Sequence, residues 1–124
     1  MVDRFVAAFN VGDRRALQQL WAQSGQGWDW YSTDAPGERV DKVARDRAGL
    51  GDYFSRRHVS GERVSILSFG FNGTNGALGD FQFTLTRAAD DMPPAAYVGK
   101  GSAVCSPAPL TIGTWSMARD PQGR

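Results

Sequence analysis

The chain is short of the residues that build metal and disulfide frameworks: its 124 residues contain one cysteine, Cys105, and one histidine, His58. A lone cysteine excludes a disulfide within the chain, and one Cys with one His cannot furnish an ordinary zinc site. Neither a metal nor a cofactor is expected. No stretch approaches the roughly 20 apolar residues of a membrane-spanning helix. The amphipathic start MVDRFVAAFN, with Asp3 and Arg4, lacks the continuous apolar run of a signal peptide. Lys and Arg number 14 against 13 Asp and Glu, a net charge of +1, and no run reaches five like charges. The longest basic cluster is Arg56-Arg57-His58, which excludes the basic stripe of a dedicated nucleic-acid surface. The expectation is a cytoplasmic protein that meets neither membrane nor nucleic acid.

What is present is a globular balance, 41% hydrophobic and 22% charged, in a length that suits one domain over 1–124, ordered roughly over 2–118. Val2, Phe5, Val6 and Phe9 follow the helical spacing i, i+3, i+4, i+7. Gly12 in NVGD is placed to end that helix in the left-handed conformation, and Asp13 to cap the next, whose apolar side is Ala16, Leu17, Leu20 and Trp21. Residues 28–32 read as a short aromatic strand, with a minimal strand around Arg39-Val40. A third helix is expected from about Lys42 to His58, with Val43, Arg47, Leu50, Tyr53, Phe54 and His58 along one side. Gly49 and Gly51 weaken it by about 1 kcal/mol each relative to Ala, and are expected to permit close packing.

From residue 62 the period changes to two. Val64, Ile66, Ser68 and Gly70 alternate with Leu67, Phe69 and Phe71; NGTNGALG, with two Asn-Gly pairs, reads as a hairpin turn. Phe81, Phe83 and Leu85 alternate with Gln82, Thr84 and Thr86. Strands over 96–105 and 111–118 follow. Helices first and a meander afterwards mean an α+β fold: three helices in the concavity of a strongly curved, mostly antiparallel sheet, a cone with an open end.

That order of elements, with FVAAFNVGD followed by LQQLW, resembles the nuclear transport factor 2-like or SnoaL-like superfamily, which includes ketosteroid isomerase, polyketide cyclases and limonene epoxide hydrolase. The resemblance implies a cone that holds a small apolar or aromatic molecule and a homodimer formed through the outer sheet face. Counting from the Asn-x-Gly-Asp motif, Asp29 falls at the base position of ketosteroid isomerase. Phe5 stands where that enzyme needs a hydrogen-bonding tyrosine, and after residue 92 no acid occurs before Asp120. The Asp-Arg-Asp set of the epoxide hydrolase has counterparts in type, Asp80, Arg87 and Asp29, but no spacing singles them out.

The stretch GWDWYS, residues 27–32, puts Asp29 between two tryptophans. On a strand Trp28, Trp30 and Ser32 share one face, Asp29 and Tyr31 the other. Burying two tryptophans is favourable by several kcal/mol, at about 25 cal/mol per Å2, whereas burying an unpaired carboxylate is unfavourable. The tryptophans are therefore expected inward and Asp29 outward. Were Asp29 inward, its aromatic shell would suit it to proton transfer. His58 is a candidate acid or base at the mouth of the cone, or else a cap for the last helical carbonyls. Trp28, Trp30, Tyr53, Phe54, Phe83 and Trp115 are candidate ligand-lining residues, with core packing as the alternative for each. Gly99-Lys100-Gly101 lacks the rest of a phosphate loop and reads as a strand whose glycines ease bending. Three functions stay open: a small-molecule-binding domain, an isomerase-, cyclase- or hydratase-type enzyme using Asp29 or His58, and a protein-interaction module built on an exposed hydrophobic sheet face.

Overall fold

The computed structural model of the chain describes residues 1–21, 30–33, 41–44, 46–75, 78–104 and 110–120. Helix α1 spans Val2–Val11 and α2 spans Arg14–Leu20. They part where the sequence says they should. Gly12 takes φ 74°, and the Asp13 carboxylate accepts the Ala16 N–H at 3.0 Å. Phe5, Ala8 and Phe9 of α1 and Leu17 and Leu20 of α2 are buried. The end of α1 is fastened to the sheet through Asn10. Its Nδ2 donates to the Val64 carbonyl at 2.9 Å, and its Oδ1 accepts the Val64 N–H at 2.8 Å.

Strand β1 is Trp30–Thr33, β2 is Asp41–Ala44 and helix α3 is Arg47–Val59. The third helix thus begins later than its spacing suggests. Residues 42–44 pair antiparallel with β1, and Asp46 caps α3 by accepting the Gly49 N–H at 2.7 Å. The minimal strand expected at Arg39-Val40 falls outside the described residues. The buried stripe of α3 is Leu50, Tyr53, Phe54 and Arg57, with Gly51 beside it. His58, expected on that stripe, is exposed, and its ring covers Gly12: a Cβ there would sit 2.6 Å from the imidazole. Gly51 does permit close packing, because a Cβ would meet the Arg14 and Gln18 side chains of α2 at 2.4–2.5 Å.

Strands β3 (Arg63–Asn75), β4 (Leu78–Ala89), β5 (Met92–Val104) and β6 (Thr111–Arg119) form the meander. Among the described residues the sheet has six strands in the order β2-β1-β6-β5-β4-β3; all neighbours are antiparallel except β1 and β6. Asn72-Gly73 belongs to β3, so the hairpin lies later than the first Asn-Gly pair. β3 carries two irregularities, between Ile66 and Ser68 and between Phe71 and Gly73. Each adds a residue and shifts the alternation, which is why Leu67 is 58% exposed while Phe69 sits opposite buried Phe83. β5 starts earlier than expected because Pro93 and Pro94 occupy its irregular end, beyond the reach of β6, where no ladder N–H is required.

Three helices on one face of a mostly antiparallel sheet make this an α+β fold with the helices in the concavity. Phe81, Phe83 and Leu85 of β4, Tyr97 of β5 and Trp115 and Met117 of β6 are buried there. Phe83 stacks on Trp115 at 4.1 Å between ring centroids, and Phe5 also stacks on Trp115, at 4.5 Å. The glycines of GKG make this possible. A Cβ on Gly99 would lie 2.3 Å from the Phe83 ring, and one on Gly101 2.5 Å from the Phe81 ring. Lys100 between them is exposed on the convex face, opposite Gln82 and Ser116.

Candidate functional site

Two features distinguish the concave side. The first is an aromatic run that passes from the core to solvent. Trp115 and Phe83 are sealed; Phe81 touches both Trp115, at 5.7 Å, and Phe69 of the edge strand, at 5.3 Å. Phe71 follows, 5.6 Å from Phe69 and 6.2 Å from Phe81, and is 46% exposed. Register opposes Phe71 to Phe81 and Phe69 to Phe83, so all four rings share the concave phase. No ionisable residue interrupts this phase of β3 and β4 between Phe69 and Leu85 among the described side chains.

The second feature is a buried polar cluster at the other end of β4. Arg87 continues the phase of Phe81, Phe83 and Leu85, yet its guanidinium is fully buried. It donates to both carboxylate oxygens of Glu62 at 3.0 Å, to the Thr33 hydroxyl and, at 3.4 Å, to the Tyr53 hydroxyl, and lies 4.7 Å over the Tyr97 ring. Glu62 also accepts from Arg57, whose two terminal nitrogens grip the Asp91 carboxylate at 2.8 Å each. Among the described residues, two cations and two anions thus meet in this cluster. Asp91 above all, then Glu62, raises the Arg57 pKa against the opposing effect of burial; Arg57 in turn holds the Asp91 carboxyl below its usual range.

The comparisons with known proteins settle the architecture. No family model matches the sequence, and no curated protein matches it. Solved structures do. An uncharacterised protein from Caulobacter vibrioides with a cystatin-like fold superposes with TM-score 0.78 at 9% identity, over 98% of this chain and 86% of that one. A proposed dehydratase of the nuclear transport factor 2-like family from Streptomyces avermitilis gives 0.72 at 15% identity, over 96% and 90%. A proposed calcium/calmodulin-dependent protein kinase II association domain from Xanthomonas campestris gives 0.75 at 11%, over 98% and 84%. The chain has the cystatin-like fold of the nuclear transport factor 2-like proteins. The likeness read from the order of elements, with FVAAFNVGD and LQQLW, therefore holds for the fold. The names borne by proteins of this fold differ so widely that the fold leaves the chemistry open.

Within this cystatin-like frame the sequence candidates scatter. Tyr53, Phe54, Phe83 and Trp115 all lie in the buried aromatic core; Tyr53 and Phe54 are in ring contact at 5.7 Å. Trp28 and Asp29 lie outside the described residues. Of Trp30 the backbone alone is described, paired in register with Thr114. Of the β1 side chains, Thr33 is described: it is buried and bonded to Arg87; the expectation for the faces of Trp28, Asp29 and Trp30 falls outside the described side chains. His58 is in the last turn of α3, on the side turned to Gly12, whereas Arg57 of the same turn reaches Glu62. The cluster itself was missed. Its signal was legible at Arg87, the next inward position after Phe81, Phe83 and Leu85. No helix among the described residues is long and apolar enough to cross a membrane.

Proposed function

We propose that this protein binds a small apolar or aromatic molecule on the concave face, at the open end of the aromatic run formed by Phe69, Phe71 and Phe81. One observation carries this reading: Phe71 is nearly half exposed on the concave phase while its ring neighbour Phe81 is fully buried. An aromatic surface left open to solvent beside a packed aromatic core is a setting that an apolar ligand can cover. Phe83 and Trp115 form the floor beneath it, with Tyr53 and Phe54 packed deeper. Thermal-shift titration with neutral aromatic probes should raise the melting temperature of the native protein. Phe71→Ala should weaken that response, and Val98→Ala on the convex face should leave it unchanged. A flat response to every probe, or equal responses in both variants, counts against the reading.

A second reading is proton transfer by Asp29, with His58 as the other candidate; the fold shared with a proposed dehydratase supports it. Turnover that survives both Asp29→Asn and His58→Gln would remove this mechanism.

A further inference from the structure

The convex face of the sheet carries a groove of about 370 Å3 that neither the aromatic run nor the buried cluster uses. Gln82, Lys100 and Ser116 stand opposite one another on β4, β5 and β6 and line it; Asn72, at the second irregularity of β3, lines it from the edge strand. Gly70, opposite Gln82 in β3, adds no side chain to this row, and a Cβ there would meet nothing within 4 Å. One row along, Val98 and Ala118 oppose each other in register and form an apolar wall, with Val98 39% exposed. Among the described residues Lys100 forms no ion pair. We propose that this groove binds a small aromatic monocarboxylate, with the carboxylate on Lys100 and the ring on Val98 and Ala118.

Spacing and charge select that class. Lys100 and Val98 lie two residues apart on one strand face, about 7 Å, the span of a single ring bearing a carboxylate. Lys100 supplies one positive charge, and the amides of Asn72 and Gln82 supply neutral N–H donors beside it. Asp80, opposite Ser102, is the diagonal neighbour of Lys100 on the same face, about 7–8 Å away. Too far to pair with the ammonium, its carboxylate still repels a second negative charge on a ligand, so a dianion such as a phosphate ester fits less well. The Gly99-Lys100-Gly101 stretch then serves both faces of the sheet: its glycines admit the Phe83 and Phe81 rings on one side, and its lysine faces the groove on the other. This site is separate from the open aromatic end on the concave face, and neither depends on the other.

Titration of the native protein with sodium benzoate, followed by amide chemical shifts, tests the assignment. The shifts should saturate, centre on residues 98–101 and 116–118, and give a dissociation constant on the order of 1 mM. Lys100→Gln should raise that constant about threefold to fivefold, and Val98→Ala should raise it too. Asp80→Asn should lower it about twofold, by removing the repelling charge, and should narrow the disadvantage of phenyl phosphate against benzoate. Added salt should shrink both charge effects. Phe71→Ala on the concave face should change nothing, and neutral benzamide should leave the groove amides in place. The dispersion of each variant's spectrum reports on its fold. Shifts that never saturate, shifts centred on Phe69 and Phe71, a constant indifferent to Lys100→Gln, weaker binding by Asp80→Asn, or a native chain that buries this groove against a second copy and excludes benzoate would each overturn the proposal.

Discussion

Glu62→Met removes one negative charge from beneath two guanidiniums while nearly preserving side-chain volume, so little of its effect comes from a cavity. In the native protein the Glu62 carboxylate is fully buried and accepts from Arg57 and twice from Arg87, whose side chains are 6% and 0% exposed. Without it Arg57 keeps Asp91, while Arg87 loses its paired carboxylate and keeps the Thr33 and Tyr53 hydroxyls and the Tyr97 ring. Breaking a buried ion pair from one side costs about 3–5 kcal/mol, a large share of the roughly 5–15 kcal/mol that holds a domain together. At about 3–5 °C per kcal/mol for this size, melting should fall by about 10–20 °C. Urea unfolding of Glu62→Met, Arg87→Met and the double variant completes the cycle. The double variant should be more stable than the sum of the singles predicts, by about 2 kcal/mol, because two methionines bury without charge. A loss below about 1 kcal/mol for Glu62→Met, or strict additivity, would refute the claim that this pair is closed off from water.

Three further outcomes are expected. The lowered carboxyl of Asp91 means the folded state favours its ionised form. Its contribution is present above the ordinary carboxylate value of about 3.9 and is lost as pH falls through the lower folded value. The gap in urea midpoint between the native protein and Asp91→Asn should therefore be open at neutral pH and close in strong acid; a gap independent of pH contradicts the pairing with Arg57. Asn10→Ala strands the N–H and carbonyl of Val64 and should cost about 2 kcal/mol, and Asn10→Asp, which cannot donate, should recover little of it in a thermal melt. Gly101→Ala places a Cβ 2.2 Å from the Thr114 carbonyl oxygen and 2.5 Å from the Phe81 ring. It should destabilise by about 1–3 kcal/mol, whereas Gly73→Ala, with open space around it, should stay close to neutral on the same assay.

The parts of the fold decided by neighbours in sequence could be read directly. Gly12 and Asp13 separate α1 from α2 through backbone conformation and one local hydrogen bond, both of which the residue types announce. The phase of β4 was equally plain in Phe81, Phe83 and Leu85. Residues 42–44 were misread because Val43 stands at helical spacing from Arg47 and Leu50; the capping carboxylate of Asp46 overrules that spacing. The shifts at Leu67 and Asn72 are set by pairing with β4 and leave no mark of their own in the sequence of β3. The polar cluster gathers residues 33, 53, 57, 62, 87 and 91 from β1, α3, β4 and two connecting turns, so spacing cannot assemble it. Only Arg87, a charge on an apolar phase, betrayed that something waited to neutralise it.

The amide of Asn10 has one more consequence. β3 is a border strand thirteen residues long, and such a border invites other chains to add themselves to it. The Asn10 side chain occupies both hydrogen-bonding groups of Val64, as a single residue of an added strand would, and the two kinks further along spoil the straight edge a newcomer needs. A helix end thus doubles as a guard against runaway strand addition, and a chain that loses Asn10 is exposed to fibrous assembly as well as to unfolding.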